Sequence, residues 1–418
     1  MKKNLYMIKI GKNAKKALNS SSGLSIKKRN AVLKQFSIYL KKYLKKILIE
    51  NKKDIFKAKG IKNHIIDRLK LDAKKIIQIK KSVEEIIKLK DPVENILSSW
   101  KRPNGLIIKK VSIPIGVIAV IYESRPNVTS DVSSLCFKSG NAVILRGGSE
   151  SYYSNKILSK LFRKALLSKN CDVNYVQFVD QQSRSNVDYL LSNMEKHIDI
   201  IIPRGGKNLV KKIQKKSKIP VIGHLEGICH VYVHKEANLE MAIRIVKNSK
   251  MRNYSICGAT ETLLIDKACL ASHCKPILKE LSKIGCKIIG DKKIKQYFSK
   301  NIKIAKEKDW HTEYLAPIIS VKSVDGVWDA INHVNKYGTR HTDSIVTKNK
   351  KVAKKFILNV SSSIALHNAS TQFADGGEFG FGAEVGISTE RLHPRGPVGL
   401  DQLVTYKYIL EGKGQIRK

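Results

Sequence analysis

Apolar residues in the first ninety positions recur at three- and four-residue intervals among lysines. This spacing predicts amphipathic helices, clearest over residues 26–50 and 76–89. From Trp100 the texture changes. Pro103-Asn104-Gly105 is a strong turn signal, and the alternation that runs on to Pro114 predicts a β-hairpin near residues 96–114. Beyond it strand and helix patterns take turns. Strands are expected over 116–122, 142–145, 199–202, 231–233 and 262–265, and helices over 128–138, 151–167, 208–216 and 239–247. Such alternation predicts an α/β fold built on doubly wound parallel sheets. The chain is expected to pass into a second α/β domain near residues 226–260, although no low-complexity linker marks the boundary. A strand over 404–410 has no local partner. It is expected to complete a sheet elsewhere in the chain or in a partner subunit.

At 418 residues, the chain is long enough for two or three domains of roughly 100–200 residues each. Its net charge is extreme: 79 Lys and Arg against 35 Asp and Glu give +44. One interpretation is a nucleic-acid or membrane-surface partner. The other is compositional bias, because lysine, isoleucine and asparagine share A/T-rich codons. The charge is spread along the chain in runs such as Lys211-Lys212 and Lys215-Lys216, and no aromatic-and-basic cluster suited to stacking bases occurs. Neither a nucleic-acid nor a membrane partner is therefore expected. The longest apolar stretch, residues 111–122, is far short of the ~20 needed to span a bilayer. The N-terminus has no apolar core of the secretory kind. With seven cysteines and no CxxC pair, free thiols in a reducing cytoplasm are expected. His273-Cys274 beside Cys269 lacks a second ligand pair, so a helix surface is expected there and no metal.

Three segments carry candidate chemistry. Val143-Ile144-Leu145-Arg146-Gly147-Gly148 and Ile200-Ile201-Ile202-Pro203-Arg204-Gly205-Gly206 share a layout of strand, arginine, two glycines and helix. Glycines let a ligand approach the backbone, the helix N-terminus favours anions, and arginine grips phosphate with two hydrogen bonds. A dinucleotide would suit such turns, and so would an ordinary tight turn without a ligand. No G-x-G-x-x-G follows a strand. Cys257 lies among small residues in Asn253-Tyr254-Ser255-Ile256-Cys257-Gly258-Ala259-Thr260. Lys247, Lys250 and Arg252 precede it, and nearby positive charge favours the nucleophilic thiolate. A small core residue is the alternative. Of the other cysteines, Cys136 and Cys229 fall in apolar segments and are expected in the core. Residues 375–384 hold too many glycines for a helix or strand and are expected to form a loop over a ligand or at the surface.

Several long segments together resemble a known family. They are residues 115–129, including Glu123-Ser124-Arg125-Pro126-Asn127; residues 138–150; Ile201-Ile202-Pro203-Arg204-Gly205-Gly206; and Pro220-Val221-Ile222-Gly223-His224-Leu225-Glu226-Gly227-Ile228-Cys229-His230. The C-terminal run over residues 368–389, then 395–397, matches as well. The sequence resembles the glutamate semialdehyde dehydrogenase (gamma-glutamyl phosphate reductase) family of the aldehyde dehydrogenase superfamily over nearly the whole chain after about residue 10. The resemblance implies an NADP-binding domain over residues 1–226 with its hairpin at 96–114, a catalytic domain over 227–395 carrying Cys257, and an oligomerisation strand over 396–418.

The resemblance also implies NADPH-dependent reduction of gamma-glutamyl phosphate to glutamate semialdehyde through a Cys257 thioester, the second step from glutamate to proline. It implies a homo-oligomer and functional coupling to glutamate 5-kinase. Cofactor contacts are expected from Arg146, Gly147, Ser149, Gly205, Gly206 and Glu313. An oxyanion donor is expected from Asn127 or the Cys257 N–H, and substrate contacts from Arg125 and Arg395 by charge. Glu226 matches the superfamily's general base only in part, since the glycine pair and lysine after that glutamate are missing. A reductase that releases phosphate needs no water activated by such a base. An aldehyde dehydrogenase oxidising a semialdehyde to an acid is the alternative enzyme.

Overall fold

The computed structural model describes residues 4–20, 24–58, 63–299 and 302–417. They form two compact units. The first comprises residues 1–223, 380–386 and 398–418; the second comprises 224–379 and 387–397.

The first unit opens with helices whose starts are set by short polar side chains. Ser25 Oγ accepts from the Lys28 N–H to begin Ile26–Lys42, and Asp72 accepts from the Lys75 N–H to begin Ala73–Lys88. The single helix expected over 26–50 is in fact two, Ile26–Lys42 and Leu44–Lys57, broken at Tyr43. The apolar period runs straight through that residue. At the break the Tyr43 hydroxyl is bonded to Lys164 Nζ at 2.6 Å.

The hairpin is β1 (Ile96–Lys101) and β2 (Ile107–Pro114), which pair antiparallel. It leads into a fully buried strand, β3 (Val117–Tyr122). Gly116 before it has φ +137°, and a Cβ there would lie 2.2 Å from Asp199 Oδ2. The bare backbone lets Asp199 accept from the Val117 N–H at 2.7 Å while pairing with Lys15 at 2.8 Å. Then follow β4 (Ala142–Gly147), β5 (Val176–Phe178) and β6 (Ile200–Arg204). All pair in parallel in the order β5-β4-β3-β6. The chain therefore builds outward on one side of β3 and then returns to its other side, which makes the carboxyl ends of β3 and β6 a topological switch point. The C-terminal strand Val404–Glu411 pairs antiparallel with β2, so the strand without a local partner completes the hairpin of its own chain.

The second unit holds a seven-stranded parallel sheet: β7 (Cys229–Val233), β8 (Thr260–Asp266), β9 (Lys287–Gly290), β10 (Lys303–Ile304), β11 (Ile318–Val324), β12 (Thr342–Val346) and β13 (Ile364–His367). Their order is β10-β9-β11-β8-β7-β12-β13. The central strands are buried along their whole length, as the unbroken apolar run Val231-Tyr232-Val233 suggests. Cys269 and Cys274 sit in this core, and His273 is buried with Nε2 on the Ala237 carbonyl at 3.1 Å. The helix surface expected there is thus corrected: the lysines around these residues face outward and the cysteines inward. Among the described residues, no helix is long and apolar enough to cross a membrane.

Candidate active site

Cys257 sits in the second unit, in the turn between the helix Leu239–Met251 and β8. All seven cysteines are free; six are buried, and Cys257 alone is half-exposed. Two glycines let other segments close on its backbone. A Cβ on Gly227 would lie 2.1 Å from the Cys257 carbonyl oxygen, and one on Gly258 would lie 3.1 Å from the Thr371 carbonyl. The turn is braced by the segment after β13. Gln372 Nε2 donates to the carbonyls of Ser249 at 2.9 Å and Asn253 at 3.3 Å, and the hydroxyls of Thr260 and Thr371 are 3.0 Å apart.

His224 and His341 flank the sulfur. The ligand atoms of His224, Cys257 and His341 all lie within 4.8 Å of one another. Burial pushes the Cys257 thiol up. The charges of His341 and His224, with hydrogen bonds from both rings, outweigh it and hold the thiol well below its ordinary range. Each ring is oriented from behind. His224 Nδ1 is 2.9 Å from the Ile387 carbonyl, and His341 Nδ1 is 2.9 Å from Thr342 Oγ1. The neighbouring Cys229 thiol donates to the Cys257 carbonyl at 3.1 Å, and burial raises it well above its ordinary value. One thiol is therefore primed and its neighbour inert.

The basic residues expected to act on Cys257 do not do so. Lys247 lies 3.7 Å from Glu280, Lys250 is buried 2.5 Å from Glu261, and Arg252 donates to Gln372 at 3.3 Å. Proximity in sequence misled here, because the helix and turn aim these side chains away from the sulfur. His224 lies in a segment that carries the family resemblance, but nothing local gives it a role. His341 lies in no motif; the alignment of β12 with β7 brings it in.

Glu313 is also in the second unit, where its carboxylate accepts from the Gly227 N–H at 2.8 Å. Burial raises its pKa, the Gly227 N–H opposes this, and the Cys257 thiolate adds to the rise. Arg395 donates to the Ser361 carbonyl. Burial lowers its pKa, and so do the charges of Arg391 and Arg340, so three guanidinium groups share one neighbourhood.

The remaining candidates lie in the first unit. Asn127 begins the helix Asn127–Lys138 and donates to Asp131 at 3.0 Å, and Arg125 lies in the turn just before it. Arg146 is the penultimate residue of β4 and donates to the carbonyls of Gly147 and, at 3.1 Å, Gln182. Ser149 opens a short turn after it. In that turn Glu150 accepts from the Ser124 N–H at 2.6 Å. Gly205 and Gly206 follow β6, and the Gly206 N–H donates to Glu123 at 2.9 Å. Carboxylates thus stand at both glycine turns.

A doubly wound sheet with a switch point, together with a second α/β unit presenting one half-exposed cysteine between two histidines, agrees with what the family comparison finds. The aldehyde dehydrogenase family profile matches residues 6–296, and the chain belongs to that family. It is 45% identical over 416 residues to the gamma-glutamyl phosphate reductase of Parvibaculum lavamentivorans, covering 99% of this chain and 98% of that one. It is 46% identical over 413 residues to the gamma-glutamyl phosphate reductase of Caulobacter vibrioides, covering 98% and 100%. The crystal structure of gamma-glutamyl phosphate reductase from Thermotoga maritima superposes with a TM-score of 0.96 at 38% identity, over 99% of this chain and 100% of that one.

Proposed function

We propose that this chain reduces L-glutamate 5-phosphate to L-glutamate 5-semialdehyde and phosphate with NADPH, in the making of proline from glutamate. The observation that carries the proposal is the half-exposed Cys257 between His224 and His341, which hold its thiol well below the ordinary range, in a chain whose relatives of that name match it end to end. The thiolate attacks the acyl carbon, the carbon–oxygen bond to phosphate breaks, and phosphate leaves with the electron pair. His341 and His224 stabilise the thiolate before attack and again when the carbon–sulfur bond breaks. Bound nicotinamide supplies the hydride that reduces the thioester carbon. The Cys257 N–H and the Asn127 amide are the proposed donors to the tetrahedral oxyanion. Arg395, within its guanidinium cluster, and Arg125 are the proposed partners of substrate carboxylate and phosphate.

The dinucleotide is assigned to the first unit. A parallel sheet with a switch point between β3 and β6, and glycines after β4 and β6, fits such a ligand. Arg146, Gly147, Ser149, Gly205 and Gly206 line these turns, and Glu313 of the second unit is the remaining proposed contact. Because Glu123 and Glu150 already hold the backbone and hydroxyl donors at these turns, ribose hydroxyls suit them better than a bare pyrophosphate. NADPH is chosen over NADH on the family resemblance, and the ratio of kcat/KM for the two tests it. A cytoplasmic site and coupling to glutamate 5-kinase are proposed on the same footing.

One face of the three-stranded sheet of the first unit exposes Trp100, Tyr406, Tyr408 and Leu410. A second copy covering this face, giving a homo-oligomer, is part of the proposal.

The decisive assay runs the reaction backwards. Glutamate semialdehyde and NADP are supplied with and without phosphate. Nicotinamide reduction that requires phosphate and disappears in Cys257→Ser is expected, with a fall of about 10³-fold or more. Acid formation without phosphate, or turnover retained in a folded Cys257→Ser protein, would overturn the proposal.

A further inference from the structure

The three side chains around the sulfur also have the composition and orientation of a metal-binding set. His224 Nδ1 is tied to the Ile387 carbonyl at 2.9 Å, so the ring donates there, and the same ring bonds the Cys257 sulfur, where a bound metal would take the place of the proton. His341 Nδ1 lies 2.9 Å from Thr342 Oγ1 and 3.5 Å from Cys229 Sγ. His341 Nε2 is buried, and the ring bonds the Cys257 sulfur. Outer bonds on one ring nitrogen, which turn the other toward a common point, are how proteins orient imidazole toward an ion. A tetrahedral Zn²⁺ needs ligand atoms roughly 3.3–3.6 Å apart, given bond lengths of about 2.0–2.3 Å. The three atoms here lie within 4.8 Å of one another, so the side chains need close by only about 1 Å or so. No other group of three or more such ligands occurs among the described residues.

We propose that His224, Cys257 and His341 form a site for a thiophilic divalent cation, Zn²⁺ above all, which inhibits the enzyme reversibly by capturing the sulfur. Two imidazoles and a thiolate suit a borderline-soft ion and disfavour Mg²⁺ and Ca²⁺, which prefer oxygen. The ion and the acyl group compete for one sulfur lone pair. The metal is therefore an inhibitor and takes no part in turnover. Cys257 is half-exposed, so water or a chelator could reach an ion held there.

Co²⁺ added to the whole protein tests the site, because a cobalt–thiolate bond gives a charge-transfer absorption that no oxygen or nitrogen ligand produces. One equivalent of Co²⁺ per chain should generate that band together with tetrahedral visible bands, and Zn²⁺ should erase both. Cys257→Ser should remove the charge-transfer band, and His224→Ala and His341→Ala should each weaken Co²⁺ binding by about tenfold or more. Bound Zn²⁺ should also protect Cys257 from iodoacetamide, as located by peptide mass mapping, and a chelator should restore the reaction. Circular dichroism checks that each variant is folded, and the wild-type band is itself a test that needs no variant. Absence of the band at saturating Co²⁺, its survival in Cys257→Ser, or unchanged affinity in both folded histidine variants would overturn the site. Such failure would leave the phosphate requirement of the reverse reaction untouched, so the two proposals fail separately.

Discussion

Cys257 shows how little of a thiol's reactivity is local. Its small neighbours mark it as approachable, yet the groups that hold its pKa down come from positions 224 and 341. Asp131 carries a second residue-scale consequence. Burial pushes its carboxyl up to about 6, against stabilising bonds from Asn127 and Ser82. A group whose folded-state pKa is raised stabilises the fold below its unfolded value and loses that contribution as pH rises through the folded one. Above pH 6 the folded protein therefore holds a half-buried charge at a cost of about 2–3 kcal/mol. Asp131→Asn keeps an acceptor for Asn127 and removes the charge. Denaturant unfolding should find the variant more stable than wild type at pH 8, by up to that amount, and equal to it near pH 4. An equal difference at both pH values would contradict the assignment.

At the scale of elements, the site depends on how the Leu239–Met251 helix is locked to β8. Lys250 and Glu261 are both fully buried and 2.5 Å apart, and Glu261 also accepts from the Leu315 N–H at 3.3 Å. Burial raises Glu261 to about 7, with Lys250 pulling it back down. Removing one partner leaves a buried ion uncompensated. Glu261→Leu should cost about 3–5 kcal/mol, and Lys250→Met in the same chain should recover much of it. A thermal or denaturant double-mutant cycle with no coupling would exclude the pair as the lock. The hairpin gives a second test. Deleting residues 404–418 strips β2 of its antiparallel partner and removes Tyr406, Tyr408 and Leu410 from the exposed face. Light scattering should then report a smaller assembly than the full chain forms. An unchanged mass would remove this sheet from the oligomer interface.

For the molecule as a whole, the net charge of +44 invites a polyanion partner. The lysines lie mainly on outer helix faces, as in Lys207–Lys216, where only Val210 and Ile213 are buried. Binding of a random DNA duplex, followed by fluorescence anisotropy, should be weak, lost by physiological salt and without sequence preference. Tight binding that persists in salt would restore the nucleic-acid interpretation.

Sequence alone marked the hairpin, β3, β4, β6, β7, β8 and most of the helices between them, but not β5 or β9 to β13. Apolar runs such as 117–122 and 231–233 cannot be solvated and must lie inside a parallel sheet, and short polar residues such as Ser25 and Asp72 start helices wherever they precede an apolar period. Cys257 was marked locally only as approachable, with a core thiol as the alternative, and its proposed role came from the family resemblance. Tertiary structure decided what no local pattern encodes. It turned Cys269 and Cys274 inward, gave the C-terminal strand to the hairpin and set His341 beside a distant sulfur. The physical reason is common to all three. Hydrophobic period and capping are carried by neighbours in the chain, whereas charge, hydrogen-bond partners and strand pairing act through space between residues that only the fold brings together.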